Sequence, residues 1–576
     1  MQDIKNNTAI DLRIDNAQIA DVFSGTFFHG SVCVHKGIIV GFSEDMYAKK
    51  VFDAENAYLL PAFFDAHVHI ESSMLCPEKF AELVIPFGTG TVIADPHEIA
   101  NVKGTDGIRY MLESARQSLL DVKIMLPSCV PALPFECSGA NLSALDLAEL
   151  ITEENVLGLG EMMNVPGVLM QDENVLEKLE LAYKNGRIID GHAPQVHGKD
   201  LDMYVLSGVS TDHECTTAEE AAERIRRGMY VLLREGSAAH DLVNLLPAVN
   251  SHTIQNCLFC TDDKQCIDIM RRGHINNSVS LAIEHGIAPI DAVRMATINT
   301  ARAYGIRHKG AIAPGMEASF MLVKDMKKCM PHAVYIQGRL AAENGKYIAA
   351  GSKKYNAKLE QLTDNMQDSM HAELPRDLTL HIPSKKARVI RLLPHSLLTA
   401  CEITDIAVDA DGNFDFSRNK GMLKLAVVER HKKTGKFGLG LLHGEYGLKN
   451  GAIATSISHD SHNIVAAGDN DEDLRIALEE IEKMGGGIAM ISQGKILTKL
   501  ALPIGGLMSM QEPEIVATAL KHLYKLAKDH YQIWDKADAF MSLSFLALPV
   551  IPDLKLTPQG LFDVTTFQFV SLEAEE

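Results

Sequence analysis

From Pro61 to about Gly310 the chain alternates short apolar runs with amphipathic helical stretches, a strand-helix rhythm sustained for about 250 residues, the usual length of a closed (β/α)8 barrel. The apolar runs end near Phe64, Ala94, Leu126, Leu159, Ile189, Ser210, Leu233 and Phe259. That supplies as many strands as a closed parallel barrel requires. The helical stretches between them carry start and stop signals. Thr217 and Glu220 have capping-box spacing and Gly228 follows as a stop, while the last helix, Pro289 to Tyr304, opens on proline and ends before Gly305.

The flanks differ in character. Residues 1 to 60 are short β-type runs separated by Gly and Asn turns, without a long helical period, and residues 311 to 350 return to β character at Phe320 to Val323 and Ala333 to Ile336. Both flanks are expected to build one small β-sandwich domain around the 61–310 barrel. The polar stretch 351–374 is expected to be a linker. Beyond it, residues 375–576 predict an additional C-terminal α/β domain, with strands at Gly451 to Ser458 and Gly487 to Ser492 and a helix over Asp471 to Met484. Gly438-Leu439-Gly440 and the glycines at 485–487 lack the residues that complete a phosphate loop and are read as ordinary turns.

Composition removes several classes of function. A formal net charge of -20, from 75 acidic and 55 basic residues, offers no cationic surface for a phosphate backbone, so nucleic acid is not an expected partner. No uncharged apolar run is long enough to span a bilayer, and the first eight residues lack the basic and apolar regions of a signal peptide. A cytoplasmic protein without membrane contact is expected. Ten cysteines without regular spacing suit reduced thiols. A small-molecule substrate fits this chain best, and self-association is left open.

Barrel active sites form where strands end and loops begin, so polar residues at those places carry the functional information. Side chains alternate along a strand, so His67 and His69, after strand one, point the same way. Glu161 follows strand four, His192 strand five, His213 strand six and Asp262 strand eight. Four imidazoles and two carboxylates suit two divalent cations with a bridging carboxylate and a bridging hydroxide. Without thiolate, the donor set admits Mn, Fe or Zn. Cys257 and Cys260 imitate part of a zinc signature, but three residues apart on a strand they face opposite sides and are read as core.

Together these residues resemble the amidohydrolase superfamily, whose barrels open with His-x-His and continue with a bridging residue after strand four, histidines after strands five and six, and an aspartate after strand eight. Residues 309 to 318, Lys-Gly-Ala-Ile-Ala-Pro-Gly-Met-Glu-Ala, resemble that superfamily's return into its β domain. Longer motifs are similar to the adenine deaminase family within it: His-Ile-Glu-Ser-Ser-Met at 69–74, Ala-Asp-Pro-His-Glu at 94–98, Gly-Glu-Met-Met-Asn at 160–164 and Ser-Ile-Ser-His-Asp-Ser-His-Asn at 456–463.

The resemblance implies hydrolytic deamination of adenine to hypoxanthine and ammonia, in purine salvage, by a hydroxide that two divalent cations activate. It also implies that Glu161 stands where relatives often carry a carboxylated lysine. Asp262 is then the proton carrier, and Glu71, two residues past His69 and so expected on the same face, is a candidate contact for the purine nitrogens. Ser72, Asp95, His97, His459, Asp460 and His462 are further candidates for positions around the substrate. Two other readings remain: a cyclic-amide hydrolase of the same superfamily, which the donor set does not separate from a deaminase, and a barrel protein without catalysis, against which the complete set of six ligands argues.

Overall fold

A computed structural model of the chain describes residues 9–349, 356–444, 446–533 and 537–574. Residues 1–8 and 350 of the expected β flanks and residues 351–355 of the expected linker therefore lie outside the described residues. The chain divides into two compact units, one of Met1–Pro96, Met111–Ser128 and Ser143–Tyr355, the other of His97–Tyr110, Cys129–Leu142 and Asn356–Glu576.

Eight parallel strands form the centre of the first unit: β1 (Phe63–Val68), β2 (Thr89–Ala94), β3 (Asp121–Leu126), β4 (Val156–Met162), β5 (Ile188–Gly191), β6 (Thr211–Asp212), β7 (Tyr230–Arg234) and β8 (Cys257–Cys260). They pair as β1 to β5 and as β6 to β8. Backbone hydrogen bonds join both seams: Ser210 donates to Ile189 O at 3.0 Å beside β5, and Asp262 donates to His67 O at 2.9 Å beside β1. Ala66, Ile93, Met125, Leu232, Leu258 and Cys260 pack together as a buried cluster, with Tyr304 over them. All ten cysteines are free, and Cys257 and Cys260 are both buried.

Several strands run past the end of their apolar run, because the polar residues that follow are still held in the ladder. β1 continues to Val68, so His67 lies within it, and β4 continues to Met162 and includes Glu161. The expected single helix from Pro289 to Tyr304 is two, Pro289–Met295 and Ile298–Ala303. At the break the Ala296 carbonyl accepts the Phe64 N–H of β1 at 2.8 Å, and the Thr297 hydroxyl turns back to Val293 O at 2.6 Å. A tertiary bond thus replaces a helical one. The helix Ala218–Arg226 has its expected capping box from Thr217 and Glu220, with Gly228 beyond it at φ 85°.

The flanks meet in one nine-stranded sheet. Phe320–Val323 runs antiparallel to Tyr58–Pro61, which pairs in turn with Ile10–Asp21. A register shift between Ile14 and Ala17 lets the long first strand bend against Thr26–His35.

In the second unit an eight-stranded sheet carries the helix Asp471–Lys483 against Ala452, Ala454, Ala466 and Ile491. Gly487–Ser492 forms a strand as expected. Part of the stretch expected as a linker is a helix, Ala357–Gln367, whose first turn is capped by Asn356. Gly438 and Gly440 sit in the strand Phe437–Gly444 instead of a turn; a Cβ at Gly438 would lie 2.1 Å from Thr557 O, so only glycine admits that neighbouring strand. Residues 97–110 and 129–142, expected within the barrel, belong to this unit. The Phe135 ring, for one, packs 4.6 Å from Phe562 and 5.1 Å from Phe569.

Close approach also governs β4, where a Cβ on Gly158 would lie 1.9 Å from Ile188 O of β5. Gly158→Ala is expected to destabilise the barrel by about 1–3 kcal/mol or more through forced backbone separation. Urea unfolding of that variant alongside the parent measures this, and an unchanged midpoint would contradict it.

Candidate metal centre

The buried polar residues of the first unit gather at the C-terminal ends of its parallel strands. His67 Nε2 and His69 Nε2 lie 3.2 Å apart, and both face Asp262 Oδ1, at 3.6 and 3.1 Å. Glu161 Oε1 is 3.3 Å from His69 Nε2, while its Oε2 is 2.7 Å from His192 Nδ1 and 3.3 Å from His213 Nε2. One carboxylate thus reaches three of the four imidazoles. The rings of His67 and His213 stack at 4.1 Å.

Each donor is held by a neighbour that fixes its orientation. His69 donates Nδ1–H to the Asp95 carbonyl at 2.8 Å, which leaves the lone pair of Nε2 facing the cluster. Asp95 Oδ2 accepts the Glu161 N–H at 2.9 Å. The Tyr204 hydroxyl accepts the His192 N–H at 2.9 Å and donates to Met162 O at 2.7 Å. Asp212, paired with the buried Arg224 at 3.0 Å, receives the N–H groups of Ala193 and Glu214, the residues directly after the two later histidines. Asp262 has φ 55°, a left-handed conformation uncommon for aspartate and frequent at functional sites.

Two residues at this mouth were not singled out by the sequence. Arg234, at the end of β7, donates from Nη1 to Asp262 Oδ2 at 2.9 Å and from Nη2 to Asp241 Oδ2 at 3.0 Å, and also grips Glu214. Glu214 Oε1 lies 3.4 Å from His213 Nε2. The available signals were a carboxylate directly after His213 and an arginine closing the apolar run Tyr-Val-Leu-Leu.

Of the other candidates, Glu71 is buried, but residues Ile70–Ser73 form a 3-10 turn, so strand alternation does not extend past His69. Ser72 donates its hydroxyl to Asp263. His97, His459, Asp460 and His462 belong to the second unit, where His97, His459 and His462 gather around Glu98.

Electrostatics at the mouth are strongly skewed. Burial and the neighbouring His213 push His67 down to about 4. For His192, burial opposes protonation, but Glu214 and Glu161 outweigh it and raise the ring to about 9. Burial likewise opposes ionisation of Asp262, yet His67, His69 and Arg234 hold its carboxyl well below the ordinary range. Imidazoles and carboxylates gathered this closely and out of water are a donor set suited to divalent cations. The groups His67–His69–Glu161, His67–His213–Asp262 and Glu161–His192–His213 each converge closely enough to hold one ion.

Residues 58–341 match the family model for the amidohydrolase family, and residues 396–568 match that for the adenine deaminase C-terminal domain. The chain is 48% identical to the adenine deaminase of Nitratidesulfovibrio vulgaris (strain DP4), over 98% of its own length and 96% of that protein's. It is 46% identical to adenine deaminase 2 of Carboxydothermus hydrogenoformans, with 97% and 96% coverage, and 45% identical to the adenine deaminase of Geobacillus kaustophilus, with 98% and 97%.

Arg234→Met removes the cation shared by three carboxylates, and on metal-free protein should cost about 3–5 kcal/mol at neutral pH. Carboxyls depressed in the folded state, as Asp262 and Glu214 are, stabilise above their ordinary pKa and lose that contribution as pH falls through the folded value. The parent's advantage should therefore shrink as pH falls below about 4. Urea titrations at pH 7 and pH 3 measure it; equal deficits at both would mean that the arginine acts through packing alone.

Proposed function

This chain belongs to the adenine deaminase family of amidohydrolases and hydrolyses adenine to hypoxanthine and ammonia; we propose that the cluster around Glu161 and Asp262 is where it does so, in the service of purine salvage. The observation that carries this reading is the convergence of four imidazoles and two carboxylates at one end of the parallel strands, with Glu161 reaching His69, His192 and His213.

His67, His69, Glu161, His192, His213 and Asp262 would hold two divalent cations, with Glu161 between them. Oxygen and imidazole donors without thiolate favour Mn or Fe and admit Zn. Bound there, the cations supply Lewis acidity that lowers the pKa of water toward neutrality and so furnishes the nucleophile for C6 of adenine. The protein's own groups manage the protons. Asp262 turns Oδ1 toward His67 and His69 while Arg234 holds Oδ2, so the carboxylate has one oxygen fixed and one directed at the reacting centre. Asp262 accepts the proton from the attacking water and returns it to the leaving amine, which departs as ammonia. Glu71, buried in the turn directly after His69, is the candidate group for the purine ring nitrogens.

Three measurements test this reading. Glu161→Gln should lose most of its divalent metal, because a neutral amide bridges two cations poorly; an undiminished metal content at full activity would remove the bridging role. Free adenine should be turned over in clear preference to adenosine, and comparable rates on the nucleoside would count against the substrate assignment. Asp262→Asn preserves side-chain size but cannot accept the proton, so turnover should fall by at least about a hundredfold in a folded protein. A folded, metal-loaded Asp262→Asn enzyme working at the parent rate would show that the proton travels elsewhere.

A further inference from the structure

The second unit contains a donor set that shares no residue with the barrel cluster. Glu98, in the first turn of the helix His97–Ala115, is almost wholly buried. Its Oε1 lies 2.7 Å from His459 Nδ1 and 3.4 Å from His97 Nε2, and its Oε2 meets His462 Nε2. Both distal histidines come from the tight loop between the strands Ala452–Thr455 and Ile464–Gly468. The coordinating atoms of Glu98, His459 and His462 all lie within 4.8 Å of one another.

The loop is built to hold these rings still. His462 has φ 52° and donates its N–H to Ser458 O at 2.7 Å. The His462 carbonyl accepts from the buried Arg430, and the Ser461 carbonyl accepts from His431 Nε2 at 2.7 Å. Asn463 donates to Cys137 O at 3.0 Å, and Ser461 donates to Glu136 Oε1 at 3.1 Å. The His459 ring lies 4.4 Å from Phe545, nearly parallel to it. Such outer contacts are what orient metal-binding imidazoles.

We propose that Glu98, His459 and His462 bind a single divalent first-row transition ion, Zn, Fe(II) or Mn in class, additional to the cations of the barrel mouth. Two imidazoles and one carboxylate are the donor pattern for such ions. Three imidazole rings converge on this one buried carboxylate. Without a cation, the Ser458 N–H lies 3.2 Å from His462 Nδ1, which leaves the ring proton on Nε2, shared with Glu98. The ion takes the place of that proton. Its effect is to clip the helix start at Glu98 to a loop 364 residues further along the chain, so that ion binding and folding of this unit are coupled.

The test is metal analysis of the full chain after metal removal, reconstitution with Zn(II) and desalting, with circular dichroism to verify folding. The parent should carry one equivalent more than Glu98→Gln or His462→Asn. A chain with His67→Ala, His69→Ala, Glu161→Ala and His213→Ala should retain that equivalent. Identical metal content in the parent and a folded Glu98→Gln overturns the site and leaves a hydrogen-bonded His–Glu–His cluster. Where the variants fail to fold, anomalous diffraction at the zinc edge on parent crystals soaked in Zn(II) decides. A peak between His459, His462 and Glu98 supports the site; its absence overturns it.

Discussion

The seam between the first and last strands of the barrel is the constraint on which the site depends. Asp262 donates its N–H to His67 O, and its own carbonyl accepts the His69 N–H at 3.3 Å, so the residue that closes the ring sits between the two histidines. The register of one bridge, Val68 with Asp262, therefore fixes closure of the sheet and the meeting of three donor side chains. Strand pairing alone would leave Asp262 pointing as its neighbours dictate. Its left-handed backbone, φ 55°, turns the carboxylate into the mouth, a conformation that the surrounding bonds must maintain.

Beneath this seam lies a layer of buried carboxyl groups that also tie neighbouring strands together. Asp65 takes the Thr261 N–H at 3.0 Å and the His67 N–H at 3.3 Å, tying the two strands just below the donors. Asp190 accepts from Thr211 at 2.8 Å and from Tyr304 at 3.0 Å, joining β5 to β6 and to the last helix. Each such carboxylate would be costly in isolation and is retained with partners that satisfy it. The rigidity of the mouth is thus supplied by polar residues one step inside it, on strands and not on loops.

Much of this was readable in the sequence because it rests on period and punctuation. Strand-helix alternation gave the eight strands, and a histidine, glutamate or aspartate at the end of an apolar run marked the donors, since nothing local requires a polar group there. What escaped reading was decided by partners distant in sequence. The helix from Pro289 breaks because Phe64 takes the Ala296 carbonyl, and Glu71 leaves the strand pattern because the chain turns at Ile70. Arg234 looked like the polar end of a strand; only the fold brings it to Glu214, 20 positions earlier, and to Asp262, 28 positions later. His459 and His462 were conspicuous as a motif, but their partner Glu98 lies more than 350 residues away, beyond the reach of any spacing rule.

The titration behaviour of the mouth adds an independent argument about its chemistry. His69 and His192 are raised although desolvation opposes it, because it is outweighed by the carboxylates around them: Asp262 and Glu161 for the first, Glu214 and Glu161 for the second. His67, which burial and the neighbouring His213 and His69 push the other way, is lowered to about 4. The protein thus surrounds these rings with more negative charge than Arg234 alone neutralises, and protons are drawn to the imidazoles that stand nearest Glu161 and Glu214. A site whose only role was structural would gain stability from replacing such groups with apolar side chains of similar volume. Retaining an unbalanced negative charge at the end of a packed barrel makes sense where cations complete it, while the Asp262 carboxyl itself is held low, against the effect of burial, by the groups that touch it, His67, His69 and Arg234.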